Sequence, residues 1–224
     1  MIGKAVLVGV LAVLLFAAPG TAAAITWDFA TLATAGQHQS SFDFTSGTST
    51  LTAAGLSGSG ATPPFGSTLG AIFVKNGGGD ENGLGSCVGN AASGNSCGPD
   101  NEIDHDPRDI LRIDRHSLTS SLSNWQFFMN SSTDGEIWHV WSSNDPTCAV
   151  GCTNLGTGTD EGILHLHNIS NSNTDRYLFF GSDNGDVLLG QIAATAPEPS
   201  SLMLLGLGLT GLGAAARRRK ATRG

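Results

Sequence analysis

The chain has 224 residues and a formal charge of −8 at pH 7. Its middle is more acidic than that total. Between Ile25 and Ala196 eighteen Asp and Glu oppose five basic side chains (Lys75, Arg108, Arg112, Arg115 and Arg176), a difference of −13. Such a surface repels phosphate backbones and excludes nucleic acid as a partner, while it attracts divalent cations and basic surfaces.

In chain order, the first element is a processing signal rather than part of a fold. Lys4 precedes an apolar run over 5–18, Pro19 and Gly20 break it, and Ala22 and Ala24 put small residues at the −3 and −1 positions of a signal-peptidase site. The run is shorter than the roughly 20 residues of a membrane span. Residues 1–24 are therefore expected to be removed, leaving Ile25 as the N-terminus. Residues 25–196 then suffice for one domain around one core.

No stretch of that domain carries the apolar stripe of an amphipathic helix. Short apolar runs between turn residues predict strands at 25–30, 41–45, 49–53, 69–75, 109–114, 125–130, 136–142, 162–169, 176–181 and 186–193. Roughly ten short strands at this density predict an all-β fold, an antiparallel β-sandwich or jelly roll. In 109–114, alternation turns Leu111 and Ile113 toward the core and leaves Arg112 at the rim. In 162–169 it places Leu164 and Leu166 on one face, with His165 and His167 on the other. Asn184-Gly185 is a type I′ hairpin signal, because both residues tolerate positive φ. Trp27, Trp125, Trp138 and Trp141 are expected in packing rather than as a sugar platform. The segment 77–107 is polar, glycine-rich and without a clear strand, and a loop of that length is usually functional or disordered.

Candidate chemistry sits in the loops. An even number of cysteines in an exported domain points to disulfides. Of the possible pairings, two local bridges, Cys87–Cys97 and Cys148–Cys152, are the simplest. The alternative is a metal site of thiolates with His139, His165 or His167, whose spacings match no common zinc pattern. Asp80, Glu81 and Asn82, with Glu102 and Asp104 beyond the cysteine loop, offer oxygen ligands from two segments, the donor set that Ca²⁺ takes. The alternative there is a solvated acidic loop. Paired carboxylates would also suit a glycosidase, and His105 or His116 a general base. No serine stands in a nucleophile elbow, and the glycines of 77–85 open no helix that would cradle a phosphate.

The C-terminus has three parts in order: Pro197-Glu198-Pro199, an uncharged apolar run over 202–216, and Arg217, Arg218, Arg219 and Lys220. The prolines force an extended segment. The run is a candidate transmembrane helix, and the basic cluster would hold its end on the cytoplasmic side. This constellation resembles the PEP-CTERM sorting signal of Gram-negative bacteria over residues 197–224. The resemblance implies recognition by an exosortase, a membrane-embedded cysteine transpeptidase. It also implies transient anchoring in the inner membrane, and delivery to the cell surface or an extracellular polysaccharide matrix. The segment KNGGGDENGLG, followed by NEID, is similar to a stretch found in many PEP-CTERM proteins and implies no activity. The expectation is a non-catalytic, surface-sorted β-sandwich that binds glycan and calcium. The alternative is a secreted carbohydrate-active enzyme, a glycoside hydrolase or lyase.

Overall fold

The computed structural model describes residues 22–32, 36–37, 40–57, 62–67, 69–78, 81–87, 102–105, 109–116, 118, 121–130, 135–159, 167–170, 174–196, 206 and 208–213. Residues Ala24–Ala196 form one unit. Its strands are β1 (Ala24–Asp28), β2 (Gly36–Gln37), β3 (Ser41–Ser46), β4 (Ser49–Ser57), β5 (Leu69–Asn76), β6 (Asn82–Cys87) and β7 (Ile103–Asp104). Then come β8 (Asp109–Asp114), β9 (Ser123–Asn130), β10 (Ile137–Ser143), β11 (Thr153–Gly158), β12 (His167–Asn168), β13 (Tyr177–Asn184) and β14 (Asp186–Thr195).

The strands form one curled antiparallel sheet. Its path is β11-β10-β13-β8-β4-β5-β6-β14-β9-β12, with β3 beside β4, β2 beside β5, and β1 and β7 beside β14. The path bends where β4 meets β5, through only Gly55↔Gly70 and Leu56↔Leu69. A side chain at Gly55 would not fit this bend, since its Cβ would lie 2.6 Å from Ser86 Oγ and 3.0 Å from the Ala71 carbonyl. Curling brings the inner sides of both halves onto one core. Leu51, Leu111, Ile113, Val140 and Phe180 from one half meet Ile72, Leu84, Phe127, Leu189 and Ile192 from the other. Trp27 and Trp125 stack at its edge, with centroids 5.9 Å apart.

A second apolar cluster covers the outer side of β4, β8, β10 and β13. Leu56, Ile110, Trp141 and Phe179 are roofed there by Phe65 and Cys148. The two roofing segments are joined by the Phe65 amide donating to the Thr147 carbonyl at 2.9 Å. Strands covered on both sides read as continuous apolar runs. This corrects the expectation for 109–114: Ile110 is buried as fully as Leu111 and Ile113, but in the outer cluster. All four tryptophans are buried.

Three other expectations change. The segment 77–107 is not strandless, for it holds β6 and β7. β6 escaped notice because glycines take the places of large residues: a Cβ on Gly83 would meet the Leu189 carbonyl at 2.9 Å. Asn184-Gly185 is not a hairpin. β13 pairs with β10 and β8, whereas β14 pairs with β1, β6, β7 and β9. The chain crosses between the halves here, and only Gly185 has positive φ (70°). The described strands number fourteen, four more than expected, because β2, β6, β7 and β11 lack apolar periodicity. Of the predicted strand 162–169 the described part is β12 and Ile169, and Leu164, His165 and Leu166 lie outside the described residues.

Candidate functional site

The acidic loops converge on a cation already in the chain. Lys75 Nζ, on β5, donates to Glu81 Oε2 and to Glu102 Oε1. Glu102 is buried. Burial pulls the Lys75 pKa down, but the hydrogen bonds to Glu102 and Glu81 outweigh it, and the net direction is upward. Asn82 Oδ1 accepts from the Gly78 amide at 2.9 Å. Asp104 lies on β7, paired in register with Asp186. Asp80 lies outside the described residues. Among the described residues no group of three or more His, Cys, Asp or Glu is placed to hold a metal.

Cys148 and Cys152 are disulfide-bonded. The bridge closes a turn in which Asp145 Oδ1 accepts from the Thr147 amide and hydroxyl and from the Ala149 amide. Those hydrogen bonds hold the Asp145 carboxyl below its ordinary range. The Cys97 position and the Cys87 side chain lie outside the described residues.

The histidines are divided by the curl. His139 Nδ1 is 2.8 Å from Asp183 Oδ2, and its ring stacks on Trp141 with centroids 3.7 Å apart. Its Nε2 is buried without a hydrogen-bond partner among the described residues. His167 packs on the inner side against Phe127 and Trp138. His105 Nδ1 is 3.4 Å from the Ser182 carbonyl oxygen. The His139–Asp183 pair had no sequence signal, because forty-four positions separate partners that only the β10–β13 register brings together.

The outer side also carries a polar row that sequence reading missed. Register aligns Asp43 with Thr52, Thr52 with Asp114, Asp114 with Tyr177, and Tyr177 with Ser143. Directly paired residues share a side of the sheet. Thr52 Oγ1 donates to Asp43 Oδ1 at 2.6 Å. Arg176 donates to both oxygens of Asp114, at 2.8 and 2.6 Å. The Arg112 and Arg176 guanidinium carbons stand 5.2 and 4.9 Å from the Tyr177 ring centroid. Burial pushes the Asp114 carboxyl up, but the Arg176 hydrogen bonds bring it below the usual range. Two of the domain's five basic residues thus flank one aromatic ring on an acidic domain. One strand away, Arg115 is fully buried over Trp125. Burial lowers its pKa to about 10 against the opposing pull of Asp175.

Of the processing residues, Ala22 and Ala24 are described. Ala22 is exposed, and Ala24 is the first residue of β1, paired with Thr195. A cut after Ala24 would leave Ile25 opposite Ala194. Ala196 packs against the core. Pro197, Glu198, Pro199, Arg217, Arg218 and Arg219 lie outside the described residues, and within the run 202–216 residues 206 and 208–213 are helical. No helix among the described residues is long and apolar enough to cross a membrane.

No curated protein and no solved structure matches the chain. The family model of the PEP-CTERM protein-sorting motif matches residues 195–220, so it begins on the last residue of β14. The C-terminal constellation is a PEP-CTERM protein-sorting motif, and the protein is one of those that carry it.

Proposed function

We propose that the protein is exported, processed by an exosortase at its C-terminus, and retained at the cell surface or in an extracellular polysaccharide matrix. There its sandwich-like β domain acts as a non-catalytic glycan-binding module. The observation that carries the reading is the sorting motif, which follows β14 without an intervening segment. A disulfide supports an oxidising destination. The glycan part draws on the polar row from the exposed Asp43 through Thr52 and Asp114, where hydroxyl, carboxylate and guanidinium groups lie beside the apolar cluster to which the buried Tyr177 ring belongs. The test is retention of the exported domain on the native host's matrix polysaccharide. Thr52→Ala with Arg176→Ala should weaken that retention about tenfold, the loss of one or two polar contacts. Retention that is absent, or indifferent to both changes, removes glycan binding.

Calcium belongs to the same proposal, held by Asp80, Glu81, Asn82, Glu102 and Asp104 in competition with the Lys75 ammonium for Glu81 and Glu102. A melting temperature that rises in millimolar Ca²⁺ and falls with chelator checks it. An indifferent curve removes calcium.

One observation favours a second reading, a secreted carbohydrate-active enzyme. His139 Nδ1 lies 2.8 Å from Asp183 Oδ2, the carboxylate–imidazole pairing that prepares a general base, with Nε2 buried and without a partner among the described residues. Release of new chain ends from the matrix polysaccharide, lost in His139→Asn, would establish it.

A further inference from the structure

The few cations of residues 25–196 are engaged within the fold. Eighteen acidic side chains oppose five basic ones there. Of the five, Arg108 lies outside the described residues, and each of the other four has a partner. Lys75 sits between Glu81 and Glu102. Arg115 is fully buried and donates to the Asp175 carbonyl. Arg176 is held through two nitrogens by Asp114. Arg112 is half-buried against Tyr177 and donates to the Pro146 carbonyl at 2.9 Å. A polyanion approaching this surface meets repulsion at long range and, among the described residues, only Arg112 as a cation that no carboxylate holds.

Along the outer polar row the balance is different. Asp43 and Asp114 stand with Arg112 and Arg176, two carboxylates against two guanidinium groups. The row itself therefore carries no net charge. Thr45 and Thr50 extend it, for each is two residues from a member of the Asp43–Thr52 pair and so shares its side. Their hydroxyl oxygens are 3.0 Å apart, and both residues are exposed. The side chains hold one another, Thr52 on Asp43, Arg176 on Asp114 and Thr45 on Thr50. Rotamers fixed before a ligand arrives lower the ordering cost of binding. Each carboxylate still has lone pairs to offer, and each hydroxyl both donates and accepts.

We propose that this row binds an uncharged, hydroxyl-rich polysaccharide, and that the acidity of the surrounding domain keeps acidic polymers away from it. This rests on the glycan reading above and names the class of glycan. Sugar hydroxyls donate to the Asp43 and Asp114 oxygens and accept from threonine hydroxyls and arginine N–H groups. A sugar carboxylate or sulfate in the same place meets the like charge of Asp43. A sugar ammonium gains as much from the rest of the acidic surface as from the row, so the row would not select it. The repulsion acts over a Debye length of about 8–10 Å and is screened by salt, whereas the short contacts with a neutral polymer are not.

The test uses the exported protein recovered from its native host, and the host's matrix polysaccharide split by anion exchange into a neutral and an acidic fraction. Each fraction is immobilised, and retention is measured with chelator present at about 20 mM and about 500 mM NaCl. The neutral fraction should retain the protein equally at both. The acidic fraction should retain it about tenfold more weakly at low salt and gain as salt rises. Asp43→Lys, a change at an exposed position, should weaken neutral retention and strengthen acidic retention at low salt. Stronger retention on the acidic fraction, falling with salt, overturns the proposal and leaves the glycan reading standing. Neutral retention that Asp43→Lys leaves unchanged overturns the assignment to this row. Retention on neither fraction overturns both.

Discussion

Lys75 decides how the acidic loops behave. Its ammonium sits between Glu81 and the buried Glu102, so removing it takes the opposing charge from a buried carboxylate. Lys75→Met should cost about 2–3 kcal/mol, read by denaturant unfolding, and adding Glu102→Gln should recover part of the loss. The Asp114–Arg176 pair gives a pH signature. A carboxylate held below its unfolded pKa contributes stability that is complete above the unfolded value and lost as pH falls through the folded one. With Asp114 depressed by Arg176, the melting temperature should drop as pH falls from about 4 toward 2, and Arg176→Gln should flatten that slope. Neither pair was legible in the sequence as a pair. Lys75 and Glu102 are twenty-seven positions apart, and Asp114 and Arg176 sixty-two. Composition reveals the carboxylates, but only strand register reveals which of them are neutralised.

The elements were legible wherever a strand is apolar. The runs around Phe73, Phe128, Val140 and Leu189 announce β5, β9, β10 and β14. β6 was hidden because its neighbours come so close that glycine is the residue that fits. Gly83→Ala would press a methyl group against the Leu189 carbonyl, and should cost about 1–3 kcal/mol as the β6–β14 contact shifts. Asn184-Gly185 misled for the opposite reason. It makes a turn, but β13 and β14 leave it for different halves of the sheet, and no local pattern records which partners a strand will choose. The Cys148–Cys152 staple was readable from spacing. It also roofs the outer cluster beside Trp141. Replacing both cysteines with alanine should lower stability by about 2 kcal/mol on the chain-entropy account, measured as a shift in the unfolding midpoint.

For the molecule as a whole, the address was easier to read than the task. Three short segments at the C-terminus carry the address in their own composition, whereas the proposed binding side is assembled from residues such as Asp43, Thr52 and Tyr177 that three strand pairings bring together. Changing Pro197, Glu198 and Pro199 to alanine should leave export and anchoring intact and trap the protein at the larger mass, as seen by fractionation and immunoblotting. The central place of β14 bears on the journey itself. A chain threaded through a translocon emerges N-terminus first, so β1 reaches the far side long before the strand it pairs with. β6, β7 and β9 wait for the same late arrival. Until residues 186–195 have crossed, the sheet has a vacant middle and open edges, the condition in which strands find wrong partners. An arrested translocation intermediate ending before Asp186 should be digested throughout by added protease, and one ending just beyond Ala196 should resist. The last strand to leave the translocon is thus the one that closes the sheet, at the moment the sorting motif behind it comes within reach of its enzyme.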